Sequence, residues 1–367
     1  MKNKKVDKIF LIIVFFLTIV GFSVFTSASI SLLAKSGPKF SSIAFNQAFF
    51  GLFLGSIACY IISRIHYRVW RKYALFIFML SLVLTLLVFV PKIGVTHNGA
   101  RRWLSLGGIS FQPAEFLKIA FIIYFSAWLS GVKEKVATFR YGLLPLLVLM
   151  GIIGVIMLKQ PDTDGLVVIA MAGIGIFITA GGRWRHLSIL ILIMIIGMAV
   201  TAYSRPYVMD RFTTFINPSS DSRGAGWQIQ QSLNAIGSGE MFGRGFGQSI
   251  QKFKFLPESI GDSIFAVAAE EFGFVGSFAL ILTFVLFAFR GLKISLKSPD
   301  EFGGLLVVGI VILVISQSFI NIASMLGVIP LSGLPLVFFS QGGTSMFLTL
   351  AEMGIILNVS RYRKNNI

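Results

Sequence analysis

Leu256-Pro257-Glu258-Ser259-Ile260-Gly261-Asp262 runs straight into the apolar stretch that opens Ser263-Ile264-Phe265. An acid in that place caps a helix through its free N–H groups, or, at a wet boundary where protons still exchange, acts as a general base. Both uses stay open for Asp262. Ala100-Arg101-Arg102-Trp103 sets two guanidinium groups beside an indole, as anchors among lipid headgroups or as a clamp whose planar forks grip a phosphate. In Phe111-Gln112-Pro113-Ala114-Glu115-Phe116-Leu117-Lys118, Pro113 suits a first helical turn, and Glu115 and Lys118, three apart, share a face. They either neutralise one another within a membrane or form the polar wall of a cavity. Lys159-Gln160-Pro161-Asp162-Thr163-Asp164 joins two acids to one base, as a solvated helix end or as a grip on a cation or a hydroxyl-rich ligand.

Glu270 and Glu271 lie about two turns beyond Asp262, where adjacent acids are expensive, so at least one should line a polar cavity or meet a cation. The stretch 237–247 is glycine-dense but follows no strand and fits no nucleotide-loop spacing. It reads as a pliable loop approaching a substrate or partner. Between 327 and 345, Pro330, Pro335 and the pair Gly342-Gly343 interrupt an apolar run, which predicts a broken or re-entrant approach to the last helix, with Glu352 a buried acid further along. A single cysteine, Cys59, and three scattered histidines, His66, His97 and His186, build neither a disulfide nor a Cys/His metal cluster.

The elements that must hold these groups follow from composition. Of 367 residues 55% are apolar and only 13% charged, against roughly a quarter in soluble domains, and the mean hydropathy is +0.84. A soluble enzyme is excluded. The net charge of +17 would suggest nucleic acid in a soluble protein, but here it has first to be sorted by side of the bilayer. Apolar runs near the roughly 20 residues that a spanning helix needs recur at 9–33, 44–63, 73–91, 112–130, 141–158, 165–182, 187–203, 262–289, 303–327 and 334–359. Because backbone polar groups in lipid must satisfy one another, the expectation is an all-α polytopic membrane protein of about ten spanning helices, one domain over 1–367. The first run is too long for a signal-peptide core.

With the N-terminus placed inside, every inner segment is basic, from Lys2, Lys4, Lys5 and Lys8 to Arg361, Arg363 and Lys364. The positive-inside rule therefore puts both termini in the cytoplasm. The acids Asp162, Asp164, Asp210, Asp221, Glu240, Glu258 and Asp262 gather on the outer side instead, around a long extracytoplasmic loop at about 204–261, between the seventh and eighth spans. Within it, 226–236 spaces Trp227, Leu233 and Ile236 as a short surface helix would.

Taken together, Ala100-Arg101-Arg102-Trp103, Gln112-Pro113-Ala114-Glu115 with Lys118, Gln160-Pro161-Asp162, Gly226-Trp227-Gln228, Leu256-Pro257-Glu258 with Asp262, Glu270-Glu271, and Gly333-Leu334-Pro335-Leu336 with Ser340 resemble the FtsW/RodA (SEDS) family over the whole chain. The run from Gly226 to Lys254 is similar to its division branch more than to its elongation branch. The chain departs from the family's pattern at Ile260-Gly261 and Ser263, where His-Thr and Phe are usual, at Asp164 and Glu240, where Gly is usual, and at Val337 and Gln341, where Pro and Tyr are usual.

That resemblance implies a peptidoglycan glycosyltransferase that polymerises lipid II and releases undecaprenyl diphosphate. It carries the essential acid onto Asp262 and an important tryptophan onto Trp103. Arg101, Arg102, Gln112, Glu115, Lys118, Asp162, Arg211, Glu258 and Ser340 are the expected substrate-binding set, their cations facing the anionic leaving group. No metal site is expected, and a divalent cation, Mg or Mn, is the one cofactor left open. Implied partners are lipid II, a class B penicillin-binding protein acting as transpeptidase, and other division-machinery membrane proteins, with no nucleic acid. The implied location is the bacterial cell membrane at the division septum. Two readings from other classes are a lipid II flippase and a non-catalytic scaffold of the division machinery.

Overall fold

The computed structural model describes residues 5–35, 37–97, 100–106, 109–218, 221 and 224–362. In chain order the helices are α1 (Lys8–Lys35), α2 (Gly37–Phe45), α3 (Gly55–Arg64), α4 (Arg68–Lys72), α5 (Ala74–Leu87), α6 (Pro113–Val132), α7 (Leu144–Lys159), α8 (Thr163–Thr179), α9 (Trp184–Ser204), α10 (Pro206–Ile216), α11 (Ala225–Ser238), α12 (Gln251–Lys254), α13 (Ile264–Leu296), α14 (Glu301–Met325) and α15 (Gly343–Arg361). Between α2 and α3, Asn46–Leu54 is wound as a π-helix.

Each expected apolar run carries a helix, although the last, 334–359, is helical only from Gly343 onward. Eight segments, Lys8–Leu33, Phe40–Arg64, Pro113–Ala137, Phe139–Lys159, Trp184–Ser204, Ile264–Leu296, Glu301–Met325 and Gly343–Arg361, are long and apolar enough to cross a membrane. α5 and α8 are equally apolar but have 14 and 17 residues, roughly 21 and 25 Å at 1.5 Å per residue, short of a hydrocarbon layer of about 30 Å. The protein is a multi-pass membrane protein.

α14 is the axle of the bundle, packed against α6, α8 and α13, with 78% of its apolar window buried. For α9 the figure is 6%; its main contact is α10, and Ile191, Leu192, Ile195 and Val200 are exposed. An apolar helix with no protein around it is stable only in lipid, whose tails are as apolar as its side chains.

Two departures from an all-helical chain matter for function. A three-stranded antiparallel sheet, β1 (Gly94–His97), β2 (Ala100–Leu106) and β3 (Ile109–Phe111), stands before α6, with Val95 opposite Trp103, Leu104 opposite Phe111, and an irregular register between Val95 and Thr96. The strands are too short for the alternation to show in an apolar sequence.

The second departure lies within α13. At Gly273 (φ 67°, ψ −165°) the helix breaks, leaving the half-helix 264–272 outside the break. Its orphaned backbone groups are taken by the glycine-dense segment: Arg244 and Gly245 N–H donate to the Glu270 and Glu271 carbonyls, and Phe274 and Val275 N–H donate to those of Glu240 and Met241. A Cβ on Gly273 would meet Gly243 N at 2.3 Å, and one on Gly243 would meet the Glu271 carbonyl at 2.2 Å, so neither position has room for a side chain. The expected pliable loop is thus a built part of the scaffold, fixed by backbone hydrogen bonds that no sequence motif announces.

Buried ion pairs hold the same region. Lys252 Nζ lies 2.7 Å from Glu271 Oε1, both fully enclosed, and donates to Ser27 Oγ of α1. Glu270 accepts from Ser249 Oγ and from the Ile250 and Gln251 N–H groups, with Arg244 at 3.5 Å. Both acids therefore meet cations, as their depth requires. The helix expected near 226–236 is α11, but it buries Ile229, Ser232 and Ala235 against the bundle, while Trp227 and Leu233 are exposed.

Candidate functional site

A cavity of about 620 Å³ opens among the sheet, α6, α8, α10, the turn before α13, the irregular stretch 326–342 and the π-helix. Pro113 at the first turn of α6 ends the sheet and aims the helix so that Gln112, Glu115 and Lys118 face this space. Asp162 caps α8 by accepting the Gly165 N–H at 3.2 Å and turns its other oxygen to Gln112 Nε2 at 3.5 Å. Burial pushes the Asp162 carboxyl up, against the pull of Arg102 and Lys118.

β2 presents Arg102 and Trp103 to the cavity. Arg102 donates to the carbonyls of Gln160 (3.0 Å) and Pro161, which clips the sheet to the α7–α8 turn. Arg101 is exposed, with Nε 3.4 Å from Thr96 Oγ1, and is not part of the wall. Arg102 has no partner across the sheet, because the register shifts between Val95 opposite Trp103 and Thr96 opposite Arg101; at this bulge the two arginines, read together in the sequence as a clamp, are separated, and Arg102 joins Trp103 at the cavity. Lys118, buried within α6, donates to Glu115 Oε1 and to Gln317 Oε1 of α14, each at 2.7 Å, and Gln317 Nε2 donates to the Pro335 carbonyl. The expected Glu115–Lys118 pair is therefore also a fastening of α6 to α14, and the cavity reads one edge of it.

Asp262 stands one residue ahead of the N-cap of α13, which is Ser263, so it does not cap the helix. No hydrogen bond or ion pair engages its carboxylate among the described residues, and it faces the cavity half-buried. Its backbone is held hard instead. Asn321 Nδ2 donates to the Asp262 carbonyl (2.7 Å) and to that of Leu334 (2.8 Å), Ser340 Oγ donates to the Gly261 carbonyl (2.7 Å), and the Gln341 N–H donates to the Ile260 carbonyl (2.7 Å). Burial, with the charges of Glu258 and Asp164 added, raises the Asp262 carboxyl to about 7; Arg211 and Arg102 oppose the shift. A helix terminus that keeps it ionised, the other physical reading of its place, is not what sets its proton affinity.

Arg211 of α10 reaches the cavity and pairs with Asp164 (2.8 Å), and Glu258 lines the same wall as Asp262. Ser340 is not in the wall; it acts on Asp262 through the Gly261 carbonyl and accepts the Leu336 N–H. Of the expected set, Asp262, Arg102, Trp103, Gln112, Glu115, Lys118, Asp162, Arg211 and Glu258 converge on one cavity; Arg101 and Ser340 do not.

Sequence reasoning missed the π-helical wall, where Asn46, Gln47 and Phe50 face the cavity and Gln47 accepts the Gly342 N–H and donates to the Ser340 carbonyl. No periodicity marks a π-helix. It also missed Gln317 and Asn321, for which a signal exists: two amides four apart in an apolar run share a face that must look inward. Among the described residues no group of three or more His, Cys, Asp or Glu could hold a metal ion. The side chains present do not fit a carboxylate cage for Mg or Mn.

The FtsW/RodA/SpoVE family, described as cell cycle protein, matches residues 7–365. The chain is 39% identical over 312 residues to stage V sporulation protein E of Bacillus subtilis, covering 85% of each chain. It is 34% identical over 354 residues, 96% of each chain, to the probable peptidoglycan glycosyltransferase FtsW of Geobacter sp. (strain M18). Among solved structures it is similar to a chain of a peptidoglycan synthase complex that coordinates polymerization and crosslinking, with a TM-score of 0.80 and 26% identity over 98% of this chain and 99% of that one. The rod shape determining protein RodA of Thermus thermophilus matches with a TM-score of 0.69 and 25% identity over 98% of both chains.

Proposed function

The chain belongs to the FtsW/RodA/SpoVE family of cell cycle proteins, and from that premise we propose that it is a peptidoglycan glycosyltransferase polymerising lipid II during cell division. The observation that carries the reading is the unpaired carboxylate of Asp262 in a cavity whose other walls hold Arg102, Lys118 and Arg211. Glycosyl transfer from a lipid pyrophosphate needs a base for the attacking sugar hydroxyl and positive charge for the departing pyrophosphate. An acid raised to about 7 is poised for the first task near neutral pH, since a base works best with a proton affinity close to the working pH.

In the reaction, Asp262 takes the proton from the acceptor sugar's hydroxyl as its oxygen attacks the donor's anomeric carbon. The bond to the pyrophosphate oxygen breaks on the opposite face, inverting the centre, and undecaprenyl diphosphate leaves with the bonding pair. Its charge is met by Arg102, Lys118 and Arg211, so no general acid is required. Trp103, Gln112, Glu115, Asp162 and Glu258 shape and orient the sugars. The orientation has both termini in the cytoplasm and the cavity outward, where glycan is built. A class B penicillin-binding protein supplies crosslinking, at the septum.

Glycan-strand formation from purified lipid II, by the protein with its penicillin-binding partner, tests the assignment. Asp262→Asn should lose about 10²–10⁴-fold in rate while staying folded. Near-normal polymer from that variant would end the role of Asp262. A wild-type protein that moves lipid II across vesicles without polymerising it would establish the flippase reading, and one that does neither would establish the scaffold.

A further inference from the structure

Asp164 is two residues from Asp162 but does not line the cavity. Its Oδ2 accepts both from Arg211 Nη1 at 2.8 Å and from the Gly333 N–H at 2.9 Å. One carboxylate thereby joins α8, α10 and the irregular stretch 326–342. The junction sits against Asp262: a Cβ on Gly333 would lie 3.6 Å from Arg211 Nη2, 3.7 Å from Asp164 Oδ2 and 3.8 Å from Asp262 Oδ2. Arg211 is thus next to two acids and pairs with only one of them. The charged groups facing Asp262 are Asp164 from α8, Arg211 from α10, Glu258 from its own turn and Arg102 from β2.

We propose that Asp164 is a positioning residue for glycosyl transfer: it holds Arg211 away from direct pairing with Asp262 and pins the Gly333 backbone, so that the base stays unpaired. Arginine forks bind carboxylates bidentately when nothing competes, and a guanidinium clamped on Asp262 would both strip its basicity and block its approach to the sugar hydroxyl. Asp164 supplies the competing partner. Its second bond, to Gly333, fixes the distance at which Arg211 remains available to an anionic leaving group.

The inference rests on Asp262 being the base, and its experiment separates the two. The polymerisation kcat/KM is followed from about pH 5 to 9 with the purified protein and its penicillin-binding partner. Asp164→Asn frees Arg211 for Asp262, so the acid limb should move to lower pH by about one unit, with a lower plateau. Adding Arg211→Gln to Asp164→Asn should bring the limb back toward its wild-type position, whatever the rate. Asp164→Glu should keep it in place. Arg211→Gln alone removes the partner of Asp164 and one of the two cations near Asp262, so it should move the limb upward; a downward move would show Asp262 already paired elsewhere and overturn the inference if Asp164→Asn does not accumulate. A limb that stays put in Asp164→Asn, or an equal displacement with and without Arg211→Gln, overturns the inference while Asp262 remains the base. An active Asp262→Asn overturns both.

Discussion

The feature that makes Asp262 a usable base should make it a burden on the fold, and the size of that burden can be worked out. An acid raised from 3.8 to about 7 is shifted by about three units, worth about 4 kcal/mol at 1.36 kcal/mol per unit. The sign follows from the direction. The folded protein holds this proton more tightly than the unfolded chain, so the stability linked to it is complete below the ordinary carboxyl value and is lost as pH rises through about 7. Asp262→Asn never has to ionise. The variant should match the wild type near pH 4 and become more stable by about 3–4 kcal/mol near pH 8, while losing polymerisation. Thermal denaturation of both proteins in lipid nanodiscs at about pH 5, 6, 7 and 8 would read the difference as a gap of several degrees that widens with pH. A gap that is constant with pH, or an Asn variant less stable at pH 8, would refute the reasoning and mean that the neighbouring cations already hold Asp262 ionised.

Lys252→Met should destabilise the protein by about 3–5 kcal/mol because Glu271 is left buried without its cation, and Lys252→Met with Glu271→Leu should recover most of it; thermal unfolding in detergent decides. Glu240 has a positive φ of 47°, so Glu240→Gly should raise stability by about 1 kcal/mol, seen in the same assay. Arg102→Ala should raise the KM for lipid II by about 10–100-fold through loss of about 1.5–3 kcal/mol of charge-assisted contact, whereas Lys118→Ala should in addition lower folded yield, since Glu115 and Gln317 lose their common donor. Reporter fusions at the C-terminus should read cytoplasmic and those between α10 and α11 extracytoplasmic; the reverse would invert the topology.

What was legible in the sequence were positions where chemistry is costly enough to stand out. Asp162, Asp262 and Lys118 are ionisable groups at the edge of or within apolar runs, and such groups need a cavity or a partner. The helical runs were legible for the same reason, as hydrophobic length. What stayed hidden was set by backbone geometry. The separation of Arg101 from Arg102 depends on a register shift inside a short sheet, and the presentation of Asn46 and Gln47 depends on π-winding, which leaves no trace in composition. Asp262 was readable as a helix cap because the apolar run begins beside it; the helix in fact starts at Ile264, and the acid is held by its neighbours' grip on its backbone.

The seam where the segment 240–245 meets α13 around Gly273 is made mostly of main-chain hydrogen bonds, with the Arg244 side chain added 3.5 Å from Glu270. Any residue but proline supplies the same N–H and C=O, so the seam asks nothing of the exposed Met241 and Phe242 side chains, whereas Arg244 is also the cation beside Glu270 and the Phe246 ring lies against Phe272. Substitutions at Met241 and Phe242 leave this support intact, whereas Gly243 and Gly273 have no room for a side chain. The exposed side chains at 241 and 242 are thus free to suit whatever surface they meet, and the backbone geometry beneath does not register the change.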